Sequence, residues 1–124
     1  MPVKVIDASA LAALLFGEPD ADKVLARIEG NTLAAPALLP FEIASVCLKK
    51  MRLHPERGDL LLAALRMLPE MEIDSVEVDL PDAVLLAQET QLTIYDSAYL
   101  WLARTLECDL IALDKQLASA AKPA

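Results

Sequence analysis

Apolar residues recur along this chain in two rhythms, short β-branched runs and longer stretches at helical spacing, and the changes of rhythm mark its elements. Val3, Val5 and Ile6 form a strand-like run that stops at Asp7, and Ser9–Phe16 (SALAALLF) then reads as a nearly all-apolar helix closed by Gly17. Asp20–Glu29 carries Val24, Leu25 and Ile28 on one face and has acids in its first turn, the pattern of an amphipathic helix. Thr32–Ala35 predicts a short strand, and Pro40 suits the first turn of a helix over Phe41–Arg52. A further helix is predicted for Glu56–Leu68, between His54-Pro55 and Pro69. Met71–Val78 alternates charged and apolar residues as an edge strand does, and Asp79 opens a helix whose body is Ala83–Gln91. In LTIYDSAYLWLAR, residues 92–104, a short apolar run turns into a helix at Asp96, with Leu100, Trp101 and Ala103 at helical spacing. DLIAL, residues 109–113, predicts a last strand that ends at Asp114, followed by the helix KQLASAA and a frayed Lys-Pro-Ala tail.

Strand, acid, helix is therefore a repeated order of events. Runs apolar on both faces belong in a parallel sheet, and such sheets collect ligands at the carboxyl ends of their strands, where Asp7 and Asp114 fall. The chain of 124 residues fits one domain, residues 1–124, and its 56% hydrophobic content with only 3 glycines indicates a helix-rich globular protein. Cys47 and Cys108 lie in apolar segments without a CxxC or His-flanked pattern, so both are expected to be buried free thiols, with neither zinc nor a disulfide. The N-terminus lacks the layout of a signal peptide, and no apolar run approaches the roughly 20 residues a membrane span needs. A soluble cytoplasmic protein is expected.

The net charge of −8 argues against a general nucleic-acid binder, since phosphate contacts need Lys and Arg. Its distribution is uneven, however. Lys49, Lys50, Arg52, His54 and Arg57 form one basic cluster, which can guide a polyanion locally, and the acidic remainder could attract a basic protein. Within the Phe41–Arg52 helix, Glu42, Ser45, Lys49 and Arg52 recur at spacings of 3, 4 and 3, one polar stripe that runs about 10 Å from Glu42 to Lys49. Phe41, Ile43, Ala44, Val46, Cys47 and Leu48 cover the rest of that helix, which is therefore expected to be buried apart from the stripe. His54, the single histidine, is expected in a surface turn with no general-base role.

Asp7, Glu42, Asp96 and Asp114 are four acids at predicted strand ends or helix starts. Each has an ordinary structural explanation: Asp is a preferred N-cap, with Ser9 competing for that role beside Asp7, and Glu near a helix N-terminus suits the dipole. Brought to one edge of a sheet, though, four carboxylates repel and raise one another's pKa unless cations neutralise them. Hard Mg²⁺ or Mn²⁺ suits such an oxygen-rich set.

VIDASALAALLFGEP, LPFEIASV, LTIYDSAYLWLA and LIALDKQLA, in that order, resemble the successive blocks of the PIN-domain family, and their spacing is similar to that of VapC-type toxins of bacterial toxin–antitoxin systems. The likeness spans essentially the whole chain. It implies a three-layer α/β/α sandwich with a short central parallel sheet, and Mg²⁺- or Mn²⁺-dependent endoribonuclease cleavage by a metal-activated water, leaving a 5′-phosphate and a 3′-hydroxyl. Asp7, Glu42, Asp96 and Asp114 match the family's acidic quartet, with Asp7 and Asp96 expected to carry most of the coordination. Ser9 matches its frequent hydroxyl residue, and Lys49, Lys50 and Arg52 would hold the RNA backbone. One position departs: where the family often has Thr or Ser two residues before the last acid, this chain has Ala112, so a supporting hydrogen bond is expected to be missing. The resemblance also implies a homodimer and a cognate antitoxin that covers the acids, often by inserting a basic residue. Two other readings stay open: a non-catalytic PIN-like binding module, and a nuclease acting on DNA.

Overall fold

The computed structural model describes residues 2–122, so the frayed tail expected at residues 122–124 lies mostly outside the described residues. Strands β1 (Val3–Ile6), β2 (Thr32–Pro36), β3 (Ile73–Val76) and β4 (Leu110–Ile111) form one parallel sheet in the order β3-β2-β1-β4. Among the described residues seven α-helices surround it: α1 (Ala8–Leu15), α2 (Ala21–Ile28), α3 (Leu39–Leu53), α4 (Gly58–Arg66), α5 (Leu80–Thr90), α6 (Ile94–Thr105) and α7 (Lys115–Ala121). The architecture is the expected three-layer α/β/α sandwich.

The topology explains where a site can form. From β1 the chain crosses to β2 and then β3 on one side, whereas β4 returns to the other side of β1. The direction of winding thus reverses between β1 and β4, and the crevice beyond their carboxyl ends is where open parallel sheets place ligands. Val5 pairs with Ala34 on one flank and Leu110 on the other, and Val5, Ile6 and Ile111 are wholly buried. Strand segments covered on both faces have no polar side, which is why Val5, Ile6, Leu33, Ala34, Ala35, Leu110 and Ile111 are all apolar. Leu11 and Ala13 of α1, Ile43 of α3, Leu102 of α6 and Leu117 of α7 complete the core. Gly17 and Gly30 close α1 and α2 with φ of 65° and 76°, a left-handed turn that costs glycine little.

Several expected boundaries shift. The Glu56–Leu68 helix is shorter, since 3₁₀ turns occupy Pro55–Arg57 and Leu68–Met71 on either side of α4. The edge strand is confined to Ile73–Val76, and α6 starts at Ile94 rather than after Asp96, so no strand precedes it. The largest correction concerns α3. Only Leu39, Ile43 and Cys47 are buried, a single i, i+4, i+8 row, while Phe41, Leu48 and Leu53 are exposed. The helix lies on the surface, and contact along one row leaves its other apolar residues in solvent. Cys47 is buried as expected but Cys108 only partly, and both are free. His54 is exposed in the turn after α3, 3.5 Å from Glu56. Among the described residues no helix is long and apolar enough to cross a membrane.

Candidate active site

Asp7 follows the last residue of β1 and caps α1: its Oδ1 accepts the Ala10 N–H at 2.9 Å. The backbone makes this placement obligatory, because Asp7 N–H also donates to the Ile111 carbonyl of β4 at 3.0 Å. Ser9 does not compete for the cap. Its hydroxyl lies 2.8 Å from both Asp7 oxygens and donates to that carboxylate, while accepting the N–H groups of Leu113 and Asp114 at 3.0 and 3.1 Å. One oxygen atom therefore ties the first acid to the turn that carries the last. Asp114 in turn caps α7, its Oδ1 accepting the Leu117 N–H at 2.9 Å. The residue two places before it, Ala112, is buried, and the polar contacts of this turn come from Ser9 instead. The departure at Ala112 thus leaves Asp114 supported from a different part of the chain. Ser9→Ala is expected to lower stability by about 1–3 kcal/mol, since two backbone donors lose their acceptor. Thermal melts of the purified variant check this, and a wild-type value would show that the turn holds without the hydroxyl.

Asp96 is not the cap of its helix. Thr93 occupies that position, its hydroxyl accepting the Asp96 N–H at 3.1 Å. Asp96 sits in the first turn, half-buried, and among the described residues its carboxylate has no hydrogen-bond or ion-pair partner. One turn further along, the buried Tyr99 donates its hydroxyl to Glu42 Oε1 at 2.6 Å and so joins α6 to α3. Ser97 between them is structural, donating to the Ala83 carbonyl of α5 at 2.7 Å. Sequence reasoning missed Thr93 and Tyr99. Both have legible signals: T-x-x-D has the form of a capping box, and Asp96 and Tyr99, three residues apart, share a helix face.

The charge of Asp96 reaches Asp7 and Glu42, and that of Asp114 reaches Asp7 and Asp96. Burial pushes the Asp7 carboxyl up to about 6, against the bonds from Ala10 and Ser9, with the charges of Asp96 and Asp114 pushing the same way. Asp96 is raised by burial and then by Asp114. Glu42 is raised by burial and by Asp96, with the Tyr99 bond opposing. Asp96 is the hub, since it couples to each of the other three. Burial, together with the Glu42 bond and the surrounding acids, holds the Tyr99 phenol far above its ordinary range, so it stays a proton donor.

The four acids offer oxygen donors, the kind a hard divalent cation takes, and among the described residues none of them is ion-paired. Among the same residues Glu42 and Asp114 each keep one oxygen without a donor, and Asp96 keeps both. Among the described residues no three carboxylates, thiols or imidazoles already form a set that could hold a metal ion. That is compatible with Mg²⁺, which retains several waters and takes only one or two direct carboxylates. Asp7 is buried, Glu42 and Asp96 are half-buried and Asp114 is exposed, and a cleft of about 540 Å³ walled by Arg27, Arg104, Cys108 and Lys122 includes none of them. Of the basic residues expected to hold substrate, Lys49 and Arg52 are exposed, but Lys50 is committed. Its ammonium is 2.7 Å from Glu18 and lies over the Phe16 ring.

A model of the PIN domain matches residues 4–123. The chain is 30% identical over 119 residues to the ribonuclease VapC3 of Pyrobaculum aerophilum, covering 92% of this chain and 91% of that protein. It superposes on the crystal structure of PAE2754 from the same organism with a TM-score of 0.79 and 27% identity, covering 99% of this chain and 82% of the other. VapC20 of Mycobacterium tuberculosis, a toxin that cleaves the sarcin–ricin loop, shares the fold at a TM-score of 0.67 and 15% identity, over 97% of this chain and 96% of the other.

Proposed function

Because the chain belongs to the PIN-domain family, we propose that it is a metal-dependent endoribonuclease, the toxin component of a type II toxin–antitoxin pair. The observation that supports this reading is the set of four carboxylates linked through Asp96, with Asp7 tied to the turn of Asp114 by Ser9 and no ion pair to any of them among the described residues. Asp7 and Asp96 would hold Mg²⁺ or Mn²⁺, with Glu42 and Asp114 completing the shell directly or through water. When bound, the cation supplies an acidified water and stabilises charge at the scissile phosphate and its leaving oxygen, giving a 5′-phosphate and a 3′-hydroxyl. Tyr99 fixes one Glu42 oxygen and leaves the other without a donor, and Ser9 sets the spacing of Asp7 from Asp114. Exposed Lys49 and Arg52 would take substrate phosphates.

The partners follow from the same surface. Unpaired acids on a protein of net charge −8 favour an antitoxin that inserts a basic residue among them. Leu80, Val84 and Leu85 of α5, each more than half exposed, support a homodimer. The free cysteines support a reducing, cytoplasmic setting.

The test is cleavage of mixed cellular RNA by purified, antitoxin-free protein with Mg²⁺, with Mn²⁺ and with a chelator, beside single-stranded DNA. Discrete fragments with either cation, none with the chelator and intact DNA are expected. No cleavage by folded protein would favour the non-catalytic binding module, and DNA cut as fast as RNA would overturn the substrate assignment.

A further inference from the structure

We propose that Phe41 and Tyr95 are stacking platforms for unpaired nucleobases on either side of the scissile phosphate, so that the site takes single-stranded RNA by its bases as well as its backbone. The proposal rests on the ribonuclease reading and adds to it two substrate-positioning residues. The chain has five aromatic side chains. Tyr99 is 1% exposed, and Phe16 and Trp101 are partly buried against the core, whereas Phe41 is 82% and Tyr95 60% exposed. Each exposed ring stands immediately before a site acid, Phe41 before Glu42 and Tyr95 before Asp96. Both are in the first turn of their helices, and consecutive Cα atoms are about 3.8 Å apart, so each ring is rooted beside its acid. The Tyr99–Glu42 hydrogen bond joins α6 to the first turn of α3, which holds the helices that carry the two rings together at this point.

Without the cation, charge does not hold the substrate at the acids themselves, and Lys49 and Arg52 can take phosphates only further along α3. An RNA backbone approaching four carboxylates is repelled, Lys50 is tied to Glu18, and Lys49 is seven residues and about 10 Å along α3 from Glu42. Base stacking needs no charge and tolerates any sequence, and it requires bases that are not already paired. Tyr95 also lines a largely apolar recess of about 390 Å³ with Pro36, Leu38, Val78, Leu80 and Ile94, within the size range of small-ligand sites. A splayed base can enter it beside the Tyr95 ring. Neither ring is packed into the core, so truncating either should leave the fold intact.

The test uses a short fluorescent single-stranded RNA centred on a cleavage site mapped in cellular RNA. Its affinity for the full chain is measured by anisotropy with chelator at low salt, and its cleavage kinetics with Mg²⁺. Phe41→Ala and Tyr95→Ala are each expected to bind about tenfold more weakly, the scale of one base–aromatic stack, and to raise KM with little change in kcat. Phe41→Tyr and Tyr95→Phe should restore both. Abasic nucleotides at the two flanking positions should weaken wild-type binding to the same degree and add little in the alanine variants. Unchanged affinity and KM in both alanine variants, with cleavage by wild type intact, would overturn the stacking role and leave the nuclease reading standing. Variants that change the sedimentation mass without changing RNA affinity would overturn it too, assigning the rings to a protein contact. A wild-type protein that neither binds nor cuts RNA would remove the ribonuclease reading, and this proposal with it.

Discussion

Asp96→Asn protein is expected to lose RNA cleavage by at least about a thousandfold, the scale of forfeiting some 4 kcal/mol of charge stabilisation, while its stability stays within about 1 kcal/mol of wild type. The separation is possible because the Asp96 carboxylate holds nothing in place. Thr93 caps α6, and no hydrogen bond to the Asp96 side chain exists among the described residues. Removing its charge weakens a favourable contact with the helix N-terminus but relieves repulsion from Asp114, and these effects oppose. The position matters because Asp96 is the acid to which the other three couple. Thr93→Ala makes the complementary control. It should cost about 1 kcal/mol of stability through the lost cap and retain cleavage. Cleavage rates and thermal melts of both variants decide the matter, and undiminished cleavage by Asp96→Asn would sink the assignment of that residue.

The fold is legible in the sequence wherever burial is two-sided. The buried end of a strand such as Val3–Ile6 must be apolar, and an acid directly after it can only lie at a strand end, so the α/β class and the place of Asp7 follow from pattern alone, whereas β4 stops at Ile111, short of the expected end at Asp114. Helix α3 departs from expectation for a related reason: apolar residues around its circumference imply burial only if something covers them, and no local pattern says so. Phe41, Leu48 and Leu53 are exposed because a single row of α3 meets the core. The connections between acids are out of reach in another way. Ser9 reaches Asp114 across 105 positions and Tyr99 reaches Glu42 across 57, pairings that exist only once β1 lies beside β4 and α6 beside α3. Sequence can nominate the carboxylates, whereas the hydroxyls that aim them are products of the fold.

Asp7→Asn should likewise abolish cleavage, yet the metal-free variant is expected to melt above wild type at pH 7.5. Asp7 is 3% exposed, and its folded pKa of about 6 stands above the ordinary 3.8. The folded state therefore binds the extra proton between about pH 4 and pH 6, and wild-type stability falls as pH rises through that window. Above it the cost of a buried, unneutralised charge is fully present, on the order of 2–3 kcal/mol. Asparagine removes that charge and keeps an oxygen for the Ala10 N–H, and it is as good a cap as aspartate. Several degrees of stabilisation at pH 7.5, vanishing near pH 4, are expected in melts of the two metal-free proteins. Adding Mg²⁺ should narrow the difference, because a cation that binds the folded carboxylates raises the stability of wild type more than that of the variant. A variant that melts below wild type at every pH would mean that the Asp7 charge serves α1 and the Ser9 hydroxyl more than burial costs it. The acid would then be a structural cap, and the cation would have to be held from Asp96 outward.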